Sequence, residues 1–158
     1  MVQATSDADT RLELRTIAVD YNDLPERIIG SGQYDWIDPD VRPYFFPVVG
    51  LGIELFETKI VHFGCEMLSE AVDRAIGYDW ILARTEHLLA FGAKYPDEQR
   101  GHRIIELGSV KIISFCPSVL YLSDSFGKRL LGVNEGRHHQ VWKPGARFLA
   151  VRRLASST

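Results

Sequence analysis

The chain has 158 residues, 46% hydrophobic and 25% charged, with a formal net charge of −3. That is the composition of one ordinary globular domain with a sizeable core, and it excludes the basic footprint of a DNA- or RNA-binding module. The sequence shows no basic-then-apolar leader and no run near the ~18 apolar residues of a membrane span, so the expectation is a cytoplasmic protein, or a virion component if the gene is phage-borne.

Residues 1–10 are small and polar and read as a disordered tail. Residues 11–50 read as an N-terminal helical and aromatic wrap and 51–158 as the main α+β body, with one folded unit over 11–153. The spacing of Leu12, Leu14, Ile17 and Val19 fits either a short helix or a strand. Asp23 is placed to cap a helix that holds Pro25 and Glu26 in its first turn and stops at Gly30. The stretch from Gln33 to Pro47 is punctuated by Pro39, Pro43 and Pro47 and reads as a wrap anchored by Tyr44, Phe45 and Phe46.

Ile53 to Phe63 alternates as a strand, with Val61 and Phe63 on one face and Ile60 and His62 on the other. Ser69 is read as the cap of a short helix through Ile76, with Val72, Ala75 and Ile76 as its inner stripe. A second helix is expected from Thr85 to Phe91, stopped by Gly92. Short strands follow at Ile104–Leu107, Val110–Phe115, Val119–Ser123 and Arg129–Val133, with a hairpin turn at Ser123–Gly127. After a polar loop, Asn134–Gln140, Trp142 and a Pro144-Gly145 turn lead into a last strand. There Phe148 and Ala150 point one way and Leu149 and Val151 the other. A strand apolar on both faces belongs inside a sheet. Helices grouped before an antiparallel run indicate α+β.

Cys65 and Cys116 stand among apolar neighbours and read as buried free thiols of a reducing compartment. His62, alone on its strand face, reads as a core or half-buried histidine. His138-His139 with His102 or His62 form a weak case for zinc, because adjacent histidines point apart and no carboxylate or thiol falls at ligand spacing beside them. Ser123, Asp124 and His138 lack the Gly-x-Ser-x-Gly elbow of a hydrolase. Gly30-x-Gly32 and Gly50-x-Gly52 are too short for a dinucleotide fingerprint and read as turns. No cofactor is implied.

The element order, with Thr85-Glu86-His87-Leu88-Leu89-Ala90-Phe91 as second helix and Trp142 to Arg152 as closing strand, resembles the C-type lectin-like fold. The variety is that of formylglycine-generating enzymes and of variable proteins of diversity-generating retroelements. The chain also resembles a set of small uncharacterised bacterial proteins through Tyr34-Asp35-Trp36, Val61-His62-Phe63-Gly64, His87 to Pro96, Leu107-Gly108-Ser109-Val110 and Arg147 to Arg152. The lectin-like resemblance implies a ligand face beside the tryptophan that precedes the last strand. The calcium-ligand motifs and structural disulfides of sugar-binding members are missing, as is the late cysteine pair of the oxidases. The expected function is therefore a non-catalytic module that binds a protein or other macromolecule, and neither nucleic acid nor membrane. The expected contact residues are Tyr121, Ser123, Asp124, Asn134, Arg137, His138, His139 and Trp142. The alternatives are a small enzyme with a site around His102, Asp124 and His138, or a phage-associated accessory protein docking through the aromatic 33–47 segment.

Overall fold

The computed structural model describes residues 14–135 and 141–154. In chain order they form β1 (Arg15–Asp20), α1 (Pro25–Gly30), β2 (Trp36–Ile37), β3 (Ile53–His62), β4 (Met67–Leu68), α2 (Ser69–Ala75), β5 (Ile81–Leu82) and α3 (Thr85–Lys94). There follow β6 (Ile104–Ile105), β7 (Lys111–Ile113), β8 (Cys116–Ser125), β9 (Lys128–Glu135), β10 (Val141–Trp142) and β11 (Arg147–Arg153). The architecture is α+β, mostly sheet with short helices.

Nine strands make one sheet in the order β1-β3-β11-β6-β8-β9-β2, with β5 also on β11 and β7 also on β8. β11 pairs antiparallel with β3 along its whole length. Its other edge is shared by two short strands: β6, parallel at Arg147 and Phe148, and β5, antiparallel at Ala150 and Val151. The last strand is thus central, as its doubly apolar pattern requires.

The same alternation builds two cores. Leu149 and Val151 join Ile17, Phe56, Leu88, Leu120 and Leu122 on the first face. α1 and α3 pack on that side. Phe148 and Ala150 join Val72, Ile76, Ile105 and Trp142 on the second face, beneath α2. Phe148, Leu149 and Val151 are at most 1% exposed, and each such side chain contributes roughly 1.5–3 kcal/mol of burial.

Several local details differ from the sequence reading. Asp23 does not cap α1; Leu24 takes that position, and Asp23 Oδ1 accepts the Leu24 N–H at 2.9 Å. Gly30 lies inside the last turn of α1, with Ser31 beyond it. Ser69 is the first residue of α2, after Leu68, and Ala75 is exposed while Val72 and Ile76 are buried. α3 does not stop at Gly92 but runs to Lys94, because Gly92 supplies space rather than an end: a methyl there would fall 2.2 Å from the Tyr34 hydroxyl. β8 extends through Ser125, so the hairpin turn narrows to Phe126 and Gly127, with φ of 50° and 80°. Positive φ at both central residues is what a tight two-residue hairpin needs. Of the three aromatic anchors, Phe46 is buried, Phe45 packs against the first core, and Tyr44 is exposed. Cys65 is exposed and Cys116 half-buried, so neither is the sealed core thiol expected from its neighbours. His62 is likewise exposed, at the end of β3.

Candidate functional site

Of the described contact candidates, Tyr121, Ser123, Asn134 and Trp142 lie on the second face of the sheet. Register places Val61, Phe148, Ile105, Tyr121 and Gly132 in one row across β3, β11, β6, β8 and β9. Tyr121 fits because Gly132 has no side chain; a methyl there would meet the ring at 2.3 Å. The Arg103 guanidinium stacks 4.1 Å from the centre of the same ring. Asn134, opposite Val119, lies one step along on this face.

Trp142 anchors the region. It is 5% exposed and meets Phe148 edge-on at 5.6 Å. Its indole N–H donates to Ser69 Oγ at 2.7 Å. β10 pairs with β4, so Trp142 lies opposite Met67, just before α2 begins. Both strands that flank residues 136–140 are thereby fixed, β9 in the main sheet and β10 at the start of α2. The indole is spent on packing and on Ser69, so Trp142 positions this region rather than offering a contact surface.

Beside it a groove of about 580 Å³ opens between α2 and the segments around β5 and β6. Its polar wall is Ser69, Glu70, Asp73 and Arg74 of α2, and its apolar wall is Leu82, Leu107 and Val110. Val110 and Ile112, on the approach to β8, stay 45% and 63% exposed. This is an apolar floor with a charged rim, the usual anatomy of a recognition patch.

The structure brings Tyr121, Asn134 and Trp142 to one face. Ser123 shares that face further along β8, whereas Asp124 alternates to the other, where Oδ1 accepts the Gly101 N–H at 2.9 Å. Asp124 thus ties down the turn that carries the exposed His102. Arg137, His138 and His139 lie outside the described residues. Among the described residues, no three His, Cys, Asp or Glu side chains converge to hold a metal ion. No described helix is long and apolar enough to cross a membrane.

Sequence reasoning missed two buried polar clusters. Glu106 is fully buried, and its two oxygens accept the N–H groups of Ser109 at 3.0 Å and Leu120 at 3.2 Å. Burial pushes its carboxyl up to about 8, against the pull of those two N–H groups. Nearby, His87 is 2% exposed, accepts the Arg84 N–H at Nδ1 at 2.9 Å, and meets Phe56 edge-on. Burial, reinforced by Arg84, lowers it to about 4. The Thr85 N–H donates to Ser109 Oγ at 3.0 Å, which ties the start of α3 to the loop after β6. The visible signal for Glu106 was its place between Ile104-Ile105 and Leu107, inside an apolar run.

The second cluster centres on Arg129. Its guanidinium donates to the carbonyls of Gly32, Gly92 at 2.7 Å and Pro96 at 3.1 Å, and to Gln99 Oε1 at 3.0 Å. It also lies over the Tyr34 ring at 4.7 Å. Gln99 in turn donates to the carbonyls of Ser123 and Leu130. A planar cation with five donors suits this task, fastening the end of α3 and the turn after α1 to the β8–β9 hairpin.

Comparison of the chain with protein-family models, with curated proteins and with solved structures finds no match.

Proposed function

We propose that this chain is a non-catalytic binding module with a C-type lectin-like arrangement, and that its ligand, a protein or other macromolecule, sits on the second face in the groove beside α2. The observation that carries the reading is that groove: apolar walls at Leu82, Leu107 and Val110, a charged rim at Glu70, Asp73 and Arg74, and the Trp142–Ser69 bond that fixes β10 at its end. The central terminal strand agrees with the lectin-like element order. The titratable groups with the most displaced acidity also favour binding over catalysis. Glu106 and His87 are sealed at 0% and 2% exposure, and the Glu106 oxygens and His87 Nδ1 accept backbone N–H groups, as side chains that hold a fold do.

The test is retention of ligand from host extract on immobilised protein. Wild type is expected to retain at least one species that the Arg74→Glu, Val110→Arg double variant loses, with the two melting curves alike. Both positions are rim or partly exposed, where substitutions shift stability by about 0.5 kcal/mol or less. Identical retention by the folded double variant contradicts the proposal. A reverse-transcriptase gene and template repeat beside this gene would support the retroelement variable-protein form of the reading.

A further inference from the structure

A second, independent surface lies at one end of the sheet. Among the described residues, β1 is an edge strand. The direction of its backbone groups follows from one bond: the Tyr21 N–H donates to the Gly52 carbonyl at 2.9 Å, continuing the register that pairs Ile17 with Phe56 and Val19 with Glu54. In an antiparallel ladder alternate residues bond the partner strand. Ile17, Val19 and Tyr21 therefore turn their N–H and C=O groups to β3, and Thr16, Ala18 and Asp20 turn theirs outward.

Two of these outward groups are already occupied. The Thr16 carbonyl accepts Lys94 Nζ at 2.7 Å and the Tyr95 hydroxyl at 2.8 Å. The Asp20 carbonyl accepts the Asp23 N–H at 3.3 Å. Among the described residues, no group bonds the Ala18 N–H, the Ala18 C=O or the Asp20 N–H at the edge. They face a groove of about 420 Å³ between β1, α1 and α3. Ala90 and Ala93 keep its α3 wall low, and Ile28 of α1 supplies an apolar contact. An uncovered edge is a template for another strand, and most proteins block it. Here Lys94 and Tyr95 block only the Thr16 end.

The groove is also charged. Asp20, Asp23 and Glu86 line it with Lys94, whose ammonium is held by Thr16, and Arg27 reaches to 4.0 Å of Asp23 Oδ1. Glu86 is 4% exposed; Arg84 at 3.7 Å and the Tyr21 hydroxyl at 3.4 Å both approach its Oε1. We propose that the open edge of β1 at Ala18–Asp20 takes an extended peptide segment as an added strand, with a lysine or arginine side chain of that segment directed to the Asp20–Asp23–Glu86 wall. The backbone groups supply pairing that is indifferent to sequence, and the carboxylates supply the preference for a basic residue. This site is separate from the groove beside α2 and does not rest on it.

The probe is a fluorescein-labelled, end-capped pentapeptide, Thr-Val-Lys-Val-Thr, titrated by anisotropy, with amide exchange of the full chain as second readout. Binding is expected, with slowed exchange at Ala18 and Asp20. Replacing the central lysine by glutamate, or either valine by proline, is expected to weaken binding tenfold or more. Ala93→Trp, which fills the groove from a partly buried helix position, and Asp20→Asn, at an exposed one, are each expected to do the same, the second with unchanged melting. Absence of binding at millimolar peptide overturns the proposal. So does equal affinity for the lysine, glutamate and proline peptides, or protection that falls elsewhere. A peptide that competes equally well with n-butylamine at the same concentration shows a cation site without strand addition, and also overturns it.

Discussion

The indole N–H of Trp142 and the hydroxyl of Ser69 are joined at 2.7 Å across 73 residues of sequence. One bond thus ties the strand that precedes the terminal β-strand to the first turn of α2, and it holds together the groove on which the proposed function rests. Ser69 serves this bond instead of capping its helix.

The two sides of that bond are unequal. Ser69→Ala leaves a buried N–H without a partner and is expected to destabilise by about 1–3 kcal/mol. Trp142→Phe removes the donor and keeps the contact with Phe148; its cost is expected to be smaller, about 1 kcal/mol. Trp142→Ala also opens a cavity, at about 3–5 kcal/mol. Urea unfolding should rank Trp142→Ala above Ser69→Ala above Trp142→Phe. A Ser69→Ala protein as stable as wild type contradicts this view of the bond.

Arg129 should tolerate no conservative change. Lysine has one ammonium and cannot reach the carbonyls of Gly32, Gly92 and Pro96 together. Arg129→Lys is expected to lose about 3 kcal/mol, within the range for breaking a buried charged network. Thermal melts decide it; a loss under about 0.5 kcal/mol would show that the cluster is not structural.

Stability should depend on pH in a specific window. Glu106 has a folded value of about 8 against 4.5 for the free group, so the folded state holds its proton more tightly. Its contribution is full below 4.5 and is lost as pH rises to 8. His87 is lowered from 6.5 to about 4, so its contribution is full above 6.5 and is lost as pH falls toward 4. The two slopes oppose each other from 4.5 to 6.5 and leave a plateau. From 6.5 to 8 only Glu106 acts, and stability should fall by about 2 kcal/mol at ~1.4 kcal/mol per pH unit. Glu106→Gln should be less stable at pH 6, since its amide N–H₂ faces an N–H donor, and should show no fall between 6.5 and 8. Urea midpoints across pH 4–9 check both. A wild-type curve that rises from 6.5 to 8 contradicts the assignment.

The sequence was most readable where one local pattern decides the outcome. Phe148, Leu149, Ala150 and Val151 are all apolar, so both faces of β11 had to be covered, and a central position follows. The alternation of Val61 with Ile60 in β3 was legible for the same reason. Gly92 was misread because glycine signals a helix stop locally, whereas here it makes room for Tyr34, 58 positions upstream by residue number. Arg129 and Gln99 are hydrophilic types in a strand and a loop, and only their distant carbonyl partners make them interior. Cys65 was misjudged from its sequence neighbours, which do not cover it in space. Of the contact residues, Tyr121, Asn134 and Trp142 do share a face, but strand alternation sends Asp124 to the other side.

Removing the terminal strand should remove the fold. A chain stopped after Gly145 loses Phe148, Leu149 and Val151 at roughly 1.5–3 kcal/mol each, together with the ladders to β3, β5 and β6. That matches the whole stability of a typical domain. The fragment is expected to show no cooperative melt by circular dichroism; a cooperative transition contradicts the central placement of β11.

The most direct test of the proposed function is site-specific photo-crosslinking in the host cell. A benzophenone amino acid at Arg74, on the rim of the groove beside α2, is compared with one at Phe126, the fully exposed tip of the β8–β9 hairpin. The proposal expects a discrete light-dependent adduct from position 74 and none from position 126. No adduct at 74, or the same adduct from both positions, contradicts it.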